Sequence, residues 1–235
     1  MGRHFEVRAK SMAATAAKKS AINMRASREI YMAARSGIPD INNNLALRSV
    51  VDKWKGQSVP KDVIERAIKK ASGGGSENYI EGRYEAFGPG GSFVIIDTLS
   101  DNVNRALSEV RTVLSKKGGH LGSVLFNFFE TGSFIFKAQN VEEIEETLIL
   151  GDVDVQEVSA EDDYINVLVA PVDFQKAKDV LSELGIEEYE TCELTLLANE
   201  QIELEDPEDR KKFEELLNAL DEIPDVQSVY HNVNL

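Results

Sequence analysis

Residues 133–150, SFIFKAQNVEEIEETLIL, decide the fold class of this chain. An apolar strand is predicted over 133–137, a helix over 141–150 and a second strand over 153–158. A strand over 164–170, a helix over 173–184 and a strand over 191–197 then follow. The resulting order βαββαβ is that of a ferredoxin-like domain.

The segments on both sides of this domain predict a second domain that the first one interrupts. Before it come a hairpin around Gly88-Pro89-Gly90-Gly91, a helix over 101–116 and an apolar strand over 124–129. After it come a short strand over 201–204, a helix and a strand over 226–230. We therefore expect a discontinuous ferredoxin-like domain over 79–131 plus 199–235, with a second one, 132–198, inserted into it.

The N-terminal third has helical periodicity without strand alternation. Ser20 is the predicted N-cap of a first helix, which ends near Gly37. A second helix places Leu47, Val50, Val51 and Trp54 on one face, and a third runs from Pro60 to the glycines at 73–75. The predicted fold class is α+β: an N-terminal three-helix domain (1–78), followed by two ferredoxin-like α/β domains, one inserted into the other.

Composition indicates a cytoplasmic protein. The 235 residues contain no apolar run long enough to cross a bilayer, so no membrane partner is expected. The N-terminus lacks the apolar core of a signal peptide. The single cysteine, Cys192, cannot form an internal disulfide and is expected in the core of a strand.

The formal net charge of −15 conceals an uneven distribution. Residues 1–70 contain 15 Lys and Arg against 6 Asp and Glu, a net +9, whereas residues 71–235 contain 11 against 35, a net −24. A molecule with this distribution presents its basic end to a polyanion and turns its acidic end away. Nucleic acid is therefore the expected partner, and the basic region its expected contact.

Helical spacing groups the basic residues into stripes. Arg25, Arg28 and Arg35 fall within an arc of roughly 80° on the first helix, and we expect all three to be exposed. On any one helix such a stripe is more often a solvated face, but three such helices in a region of net charge +9 favour phosphate binding. The candidate contacts of this region, its N-terminal arm included, are Arg3, Arg8, Lys10, Lys18, Lys19, Arg25, Arg28, Arg35, Arg48, Lys55, Lys61, Arg66, Lys69 and Lys70.

Patterns that would indicate catalysis are almost absent. The three histidines lie far apart along the chain, and the glycine clusters lack the Lys and Ser/Thr that follow in a phosphate-binding loop. Acidic clusters such as 142–146 are interpreted as solvated faces rather than cation sites. We expect no enzyme activity, no cofactor and no metal site.

Four motifs in order resemble the YebC/PmpR family: VPKDVIERAI at 59–68, RYEAFGPGG at 83–91, DNVNR at 101–105, and KGG at 117–119 with Leu121-Gly122. The resemblance covers essentially the whole chain. It implies a three-domain α+β protein of a family labelled as transcriptional regulators that bind DNA. The family also includes a mitochondrial translational activator and bacterial members implicated in relieving ribosomes stalled on proline-rich sequences.

The resemblance also implies a functional surface beyond the basic region. Matched position by position, this surface includes Arg83, Tyr84, Asn102, Asn104 and Arg105. The chain departs from the family pattern where Phe5 replaces the usual tryptophan, and in a shorter stretch after Leu121-Gly122. These departures indicate a divergent branch of the family.

The leading hypothesis is a non-enzymatic, nucleic-acid-binding regulator of gene expression. DNA and ribosomal RNA or the ribosome remain alternative targets, and ribosome or RNA contact is favoured because no helix-turn-helix or zinc-finger signature is evident. A monomer is favoured. The rival hypothesis is an acidic protein-interaction scaffold without direct nucleic-acid contact, whose helices only pack.

Overall fold

A computed structural model describes residues 16–74, 77–138 and 140–235. Its helices are α1 (Ala16–Arg35), α2 (Leu45–Gly56), α3 (Lys61–Ser72), α4 (Val103–Lys116), α5 (Val141–Leu150), α6 (Phe174–Glu183) and α7 (Pro207–Asp221). Its strands are β1 (Ile80–Phe87), β2 (Phe93–Ser100), β3 (His120–Leu121), β4 (Phe128–Lys137), β5 (Val155–Glu161), β6 (Tyr164–Val169), β7 (Thr191–Ala198), β8 (Ile202–Glu203), β9 (Val226–His231) and β10 (Val233–Asn234). The α+β class is confirmed.

The chain divides into two compact units. The inserted unit comprises Glu130–Leu196 together with Val51–Ser58. The main unit comprises Val59–Phe129, Leu197–Leu235 and the segment that ends at Val50. The finer division into three domains with boundaries at 78, 131 and 198 stays a prediction.

The sheet of the inserted unit has the ferredoxin-like strand order β5-β6-β4-β7. Phe134 and Phe136 alternate along β4 into a core with Leu148 of α5 and Leu181 of α6. Cys192 of β7 joins this core as a free thiol, as its sequence context predicted. Burial raises the pKa of this thiol to about 11, so the side chain behaves as a small apolar residue.

The sheet of the main unit has the order β3-β1-β2-β9, with antiparallel pairing throughout. Helices α4 and α7 pack on one face, where Val110, Leu114, Phe213 and Leu216 form the core. This order differs from the predicted second βαββαβ arrangement. Strand β8 pairs in parallel with β10 in a separate small sheet, and a 3₁₀ turn, Leu125–Asn127, occupies much of the strand predicted over 124–129.

The predicted N-terminal helical region is present, and two local details differ from the prediction, one in this region and one in the hairpin turn after β1. Ser20 lies inside α1 rather than at its N-cap. The hairpin turn is a short 3₁₀ segment, Pro89–Gly91, with positive φ angles at Gly90 and Gly91, instead of a type II turn. Both glycines are needed there because a side chain strains a left-handed backbone.

Candidate nucleic-acid interface

The first two arginines of α1 are bound to the main unit rather than to solvent. Arg25 donates to the Asp221 carboxylate at 3.3 Å and to the Asp221 carbonyl at 2.7 Å. Arg28 donates to the Asp225 carboxylate at 3.0 Å and to the carbonyls of Pro224 at 2.7 Å and Leu99 at 3.2 Å. These bonds attach α1 to the end of α7, to the loop between α7 and β9, and to β2.

Asp225 is the centre of this attachment. Its carboxylate also accepts hydrogen bonds from Arg105 and from the Ser100 hydroxyl, both at 2.7 Å. Its carbonyl accepts from the Leu99 amide at 2.8 Å. Because the side chain is only 2% exposed, the carboxylate depends on these donors for its solvation. The arginines bound to Asp225 therefore have a structural role.

The expectation that Arg25 and Arg28 are exposed is wrong, because their partners are contributed by residues distant in sequence. Arg35 is exposed at the end of α1, with its guanidinium over the Tyr31 ring at 6.0 Å, and Lys19 is also exposed. Arg3, Arg8, Lys10 and the side chain of Lys18 lie outside the described residues.

The predicted cations of α2 differ in their surroundings. In the main unit, Arg48 donates to the carbonyls of Ile41 and Asn42 at 3.2 and 3.0 Å and so braces the loop before α2. In the inserted unit, Lys55 is exposed, 3.8 Å from the Asp52 carboxylate. Arg48 therefore stabilises a loop, whereas Lys55 remains accessible.

Helix α3 presents four exposed cations. Ile64, Ala67 and Ala71 face the core, which leaves Lys61, Arg66, Lys69 and Lys70 outside. The Lys61 side chain is 88% exposed and that of Arg66 is 72% exposed. Lys61 and Arg66 pair with exposed carboxylates, Glu65 at 3.5 Å and Asp62 at 2.7 Å, whereas Lys70 pairs with the partly buried Glu77 at 2.6 Å.

Ion pairs on exposed carboxylates and ion pairs on buried carboxylates differ in how easily a phosphate could displace the carboxylate. An exposed pair contributes about 0–1 kcal/mol, so exchanging its carboxylate for a phosphate costs little. Removing a cation from a buried carboxylate costs several times more, roughly 3–5 kcal/mol in fully buried cases. The cations of α3 are therefore available to a polyanion, whereas Arg28 is committed to Asp225.

The surface implied by the resemblance also separates into structural and accessible residues. Asn102 is the N-cap of α4 and accepts from the Arg105 amide at 3.0 Å, while the Tyr84 hydroxyl donates to a carbonyl of α4 at 3.4 Å. Arg83 forms a two-bond pair with Asp97 on the facing strand, at 2.7 and 2.9 Å. Asn104 is exposed.

The sequence does not identify Asp221 and Asp225 as the partners of the basic helix. The segment around them, DEIPDVQSV at 221–229, is acidic only at its start and becomes apolar at the strand. An aspartate directly before a buried strand is a weak sign of a buried carboxylate. Nothing in the local sequence identifies a partner 196 residues away.

In the described ranges, no group of three or more His, Cys, Asp and Glu side chains is arranged to hold a metal ion. No helix in those ranges combines the length and apolar character that crossing a membrane requires.

Comparison with known proteins identifies relatives along the chain. A family model described as TACO1/YebC second and third domain matches residues 79–233, and one described as TACO1/YebC protein N-terminal domain matches residues 3–74. A Mesoplasma florum protein named Probable transcriptional regulatory protein Mfl546 is 49% identical over 237 residues, which cover 100% of both chains. Probable transcriptional regulatory protein YeeN of Escherichia coli O157:H7 is 45% identical over 208 residues, 87% of each chain.

The fold has a counterpart among solved structures. The crystal structure of the conserved hypothetical protein Aq1575 from Aquifex aeolicus matches with a TM-score of 0.78 and 32% identity. The match covers 94% of this chain and 93% of the other. Family models and relatives agree, and this chain belongs to the TACO1/YebC family, which is the YebC/PmpR family that its sequence motifs indicated.

Proposed function

We propose that this protein is a non-enzymatic regulator of gene expression that binds RNA at the ribosome through the exposed cations of its N-terminal helices. Relatives named as transcriptional regulatory proteins support a regulatory role. RNA is favoured over DNA because the sequence has no helix-turn-helix or zinc-finger signature to place a reading helix in the major groove.

The exposed face of α3 carries this proposal. Residues 61–72 contain four Lys and Arg and two Asp and Glu, a net +2, in a protein of net charge −15. The side chains of all four cations, Lys61, Arg66, Lys69 and Lys70, are exposed, and the carboxylates paired with Lys61 and Arg66 are exposed as well. Phosphates can therefore replace these carboxylates without opening the core.

Charge reversal on α3 tests the proposal. The variant K61E/R66E/K69E changes the net charge from −15 by −6 to −21. We expect affinity for ribosomal RNA to fall at least about tenfold, because three phosphate contacts are lost and replaced by repulsion. Filter binding at several salt concentrations measures this effect.

The variant R210E/K211E/K212E is the matched control. These three exposed cations lie on α7 among acidic residues, and their reversal also gives −21. If RNA contacts α3 directly, only the α3 variant should lose affinity for ribosomal RNA. Equal losses in both variants would mean that net charge alone governs binding and would contradict an interface on α3.

The salt dependence and the location in cell lysate supply the remaining tests. Neutralising about four phosphates gives a slope of log affinity against log salt near −3, and the α3 variant should reduce that slope by about two. Comigration with ribosomal particles in a sedimentation gradient supports the ribosome as target. Free protein with site-specific DNA footprints would support a DNA-binding regulator instead.

A further inference from the structure

Lys70, near the end of α3, is held in a different way from the other paired cations of that helix. Its Nζ donates to the Glu77 carboxylate at 2.6 Å, across the segment that connects α3 to β1. Lys61 and Arg66 instead pair with carboxylates one helical turn away, within α3 itself. Of these three cations, Lys70 has the partner that comes from outside the helix.

Glu77 is fixed through its backbone as well as through its side chain. One oxygen of its carboxylate accepts from Lys70, and the other accepts from the Tyr79 hydroxyl at 3.3 Å. Its backbone carbonyl accepts from the Tyr31 hydroxyl of α1, also at 3.3 Å. The Glu77 side chain is nevertheless 38% exposed, so the carboxylate can rotate into solvent while the backbone stays attached. Displacing this carboxylate therefore requires a side-chain rotation and leaves the core closed.

The two donors that face the Glu77 carboxylate are suited to an anion. The hydrogen bond to Glu77 raises the pKa of Lys70, which therefore stays charged. Burial, with a smaller effect of the Glu77 charge, raises the pKa of Tyr79, so its hydroxyl keeps its proton and remains a donor. A phosphodiester of RNA has one negative charge on two free oxygens, as a carboxylate does, and accepts hydrogen bonds from the same donors.

A second exposed cation lies beside this pair of donors. The Arg35 guanidinium and the Lys70 ammonium each lie 6.0 Å from the centre of the Tyr31 ring. The Tyr79 ring packs edge-on against the same ring, with 5.9 Å between the centres. Two cations from different helices therefore approach one pair of rings, and their positive potential favours an anion there.

We propose that Lys70 and the Tyr79 hydroxyl form a phosphate subsite of the RNA interface, and that Glu77 occupies this subsite in the free protein as an internal competitor. An RNA phosphate replaces the carboxylate, and the Glu77 side chain turns into solvent. The competition lowers the affinity for RNA by the strength of the ion pair that must be broken, which for a partly exposed pair amounts to a fewfold change. This inference rests on the proposed function and adds regulation to the interface on α3.

Removal of the Glu77 charge tests the competition in the full chain. E77Q keeps the size of the side chain and changes the net charge from −15 by +1 to −14. In filter binding to ribosomal RNA at about 0.1 M salt, we expect its affinity to rise about fivefold, because Lys70 no longer has to leave a carboxylate. E81Q is the matched control, since it makes the same change of charge at an exposed glutamate of β1. The control should change the affinity by less than about twofold.

A double-mutant cycle shows whether Glu77 acts through Lys70. K70A should bind RNA more weakly than the wild type, and K70A/E77Q should bind no more tightly than K70A. A gain from E77Q that persists without Lys70, or that E81Q reproduces, would mean that long-range charge alone changes the affinity, and would overturn the competition. Y79F/E77Q should bind about twofold to threefold more weakly than E77Q, because the phosphate loses a donor. Equal affinities of these two variants would overturn the two-donor subsite.

The outcomes also separate this inference from the function on which it rests. If K61E/R66E/K69E loses affinity while E77Q behaves like E81Q, the interface on α3 stands and the competition by Glu77 is wrong. If the wild type binds no ribosomal RNA, the proposed function itself fails. Unchanged circular dichroism and Tm show that each variant compared is folded. Should E77Q be unstable, E77A removes the same carboxylate by truncation, with the same expected gain in affinity.

Discussion

Asp225 binds helix α1 to the rest of the main unit, and it shows how a single buried carboxylate can fix an element in place. Arg28 and Arg105 both bind it, and the Ser100 hydroxyl completes its hydrogen bonding. D225N preserves the shape but removes the charge that both guanidiniums face. We expect a loss of about 2–3 kcal/mol in the free energy of unfolding, less than for a fully buried pair because Arg105 is half exposed. Urea denaturation measures it.

Asp221 provides the matched control for that measurement. It also binds an arginine of α1, Arg25, but at 3.3 Å and with a half-exposed carboxylate. D221N should therefore cost less than about 1 kcal/mol. Equal losses for D221N and D225N would show that burial of Asp225 does not set the strength of the attachment.

His231 makes the main unit sensitive to acid. Its ring lies edge-on against Phe213 at 5.2 Å, its Nδ1 accepts from the Val233 amide at 3.3 Å, and burial lowers its pKa from 6.5 to about 4. Between these two pH values the unfolded chain binds a proton that the folded chain does not. Stability therefore falls as the pH drops from about 6.5 towards 4, by up to about 3 kcal/mol at about 1.4 kcal/mol per pH unit.

The variant H231N isolates this contribution. Asparagine retains a hydrogen-bond acceptor but does not titrate in this range, so the variant should be less stable at pH 7 and lose less stability towards pH 4. The difference between the unfolding free energies of wild type and variant should therefore shrink as the pH falls. A constant difference would mean that His231 takes up its proton without opening the core.

At the scale of elements, periodicity located most helices and strands but not their partners. The spacing of apolar residues predicted α5 over its observed bounds and the ferredoxin-like order of the inserted unit. The same spacing placed Arg25 and Arg28 on one face of α1, but a basic face can meet either phosphate or an internal carboxylate. That choice depends on Asp221 and Asp225, which come next to α1 only in the folded chain.

The segment over 124–129 shows the other limit of local pattern. Its apolar residues predict a buried strand, yet the Glu85 carboxylate binds the amides of Val124 and Leu125 and so favours a 3₁₀ turn. A side chain nearly forty residues away thus competes with strand pairing for the same amides. The exposed cations of α3 were predictable, whereas the exposure of Phe126 in this turn was not.

At the scale of the whole molecule, most of the negative charge lies outside the proposed interface. Residues 71–235 have a net charge of −24, and Glu142, Glu145 and Glu146 are exposed on α5 of the inserted unit. Like charge repels a polyanion at long range, so these residues should weaken non-specific RNA binding while the basic helices attract. The scaffold hypothesis assigns the opposite role to the same carboxylates, namely attraction of a basic protein.

The variant E142Q/E145Q/E146Q distinguishes the two roles. It changes the net charge from −15 by +3 to −12, and it retains Glu143, which accepts from the Asn140 side chain at 3.0 Å at the N-cap of α5. If the carboxylates repel RNA, non-specific affinity should rise severalfold at low salt and return to the wild-type value at about 1 M salt, where the screening length is about 3 Å. If these carboxylates instead bind a basic protein, the variant should lose nuclease-resistant association with that protein while its RNA affinity stays unchanged. The association would then depend on direct contact with the carboxylates and not on their long-range field.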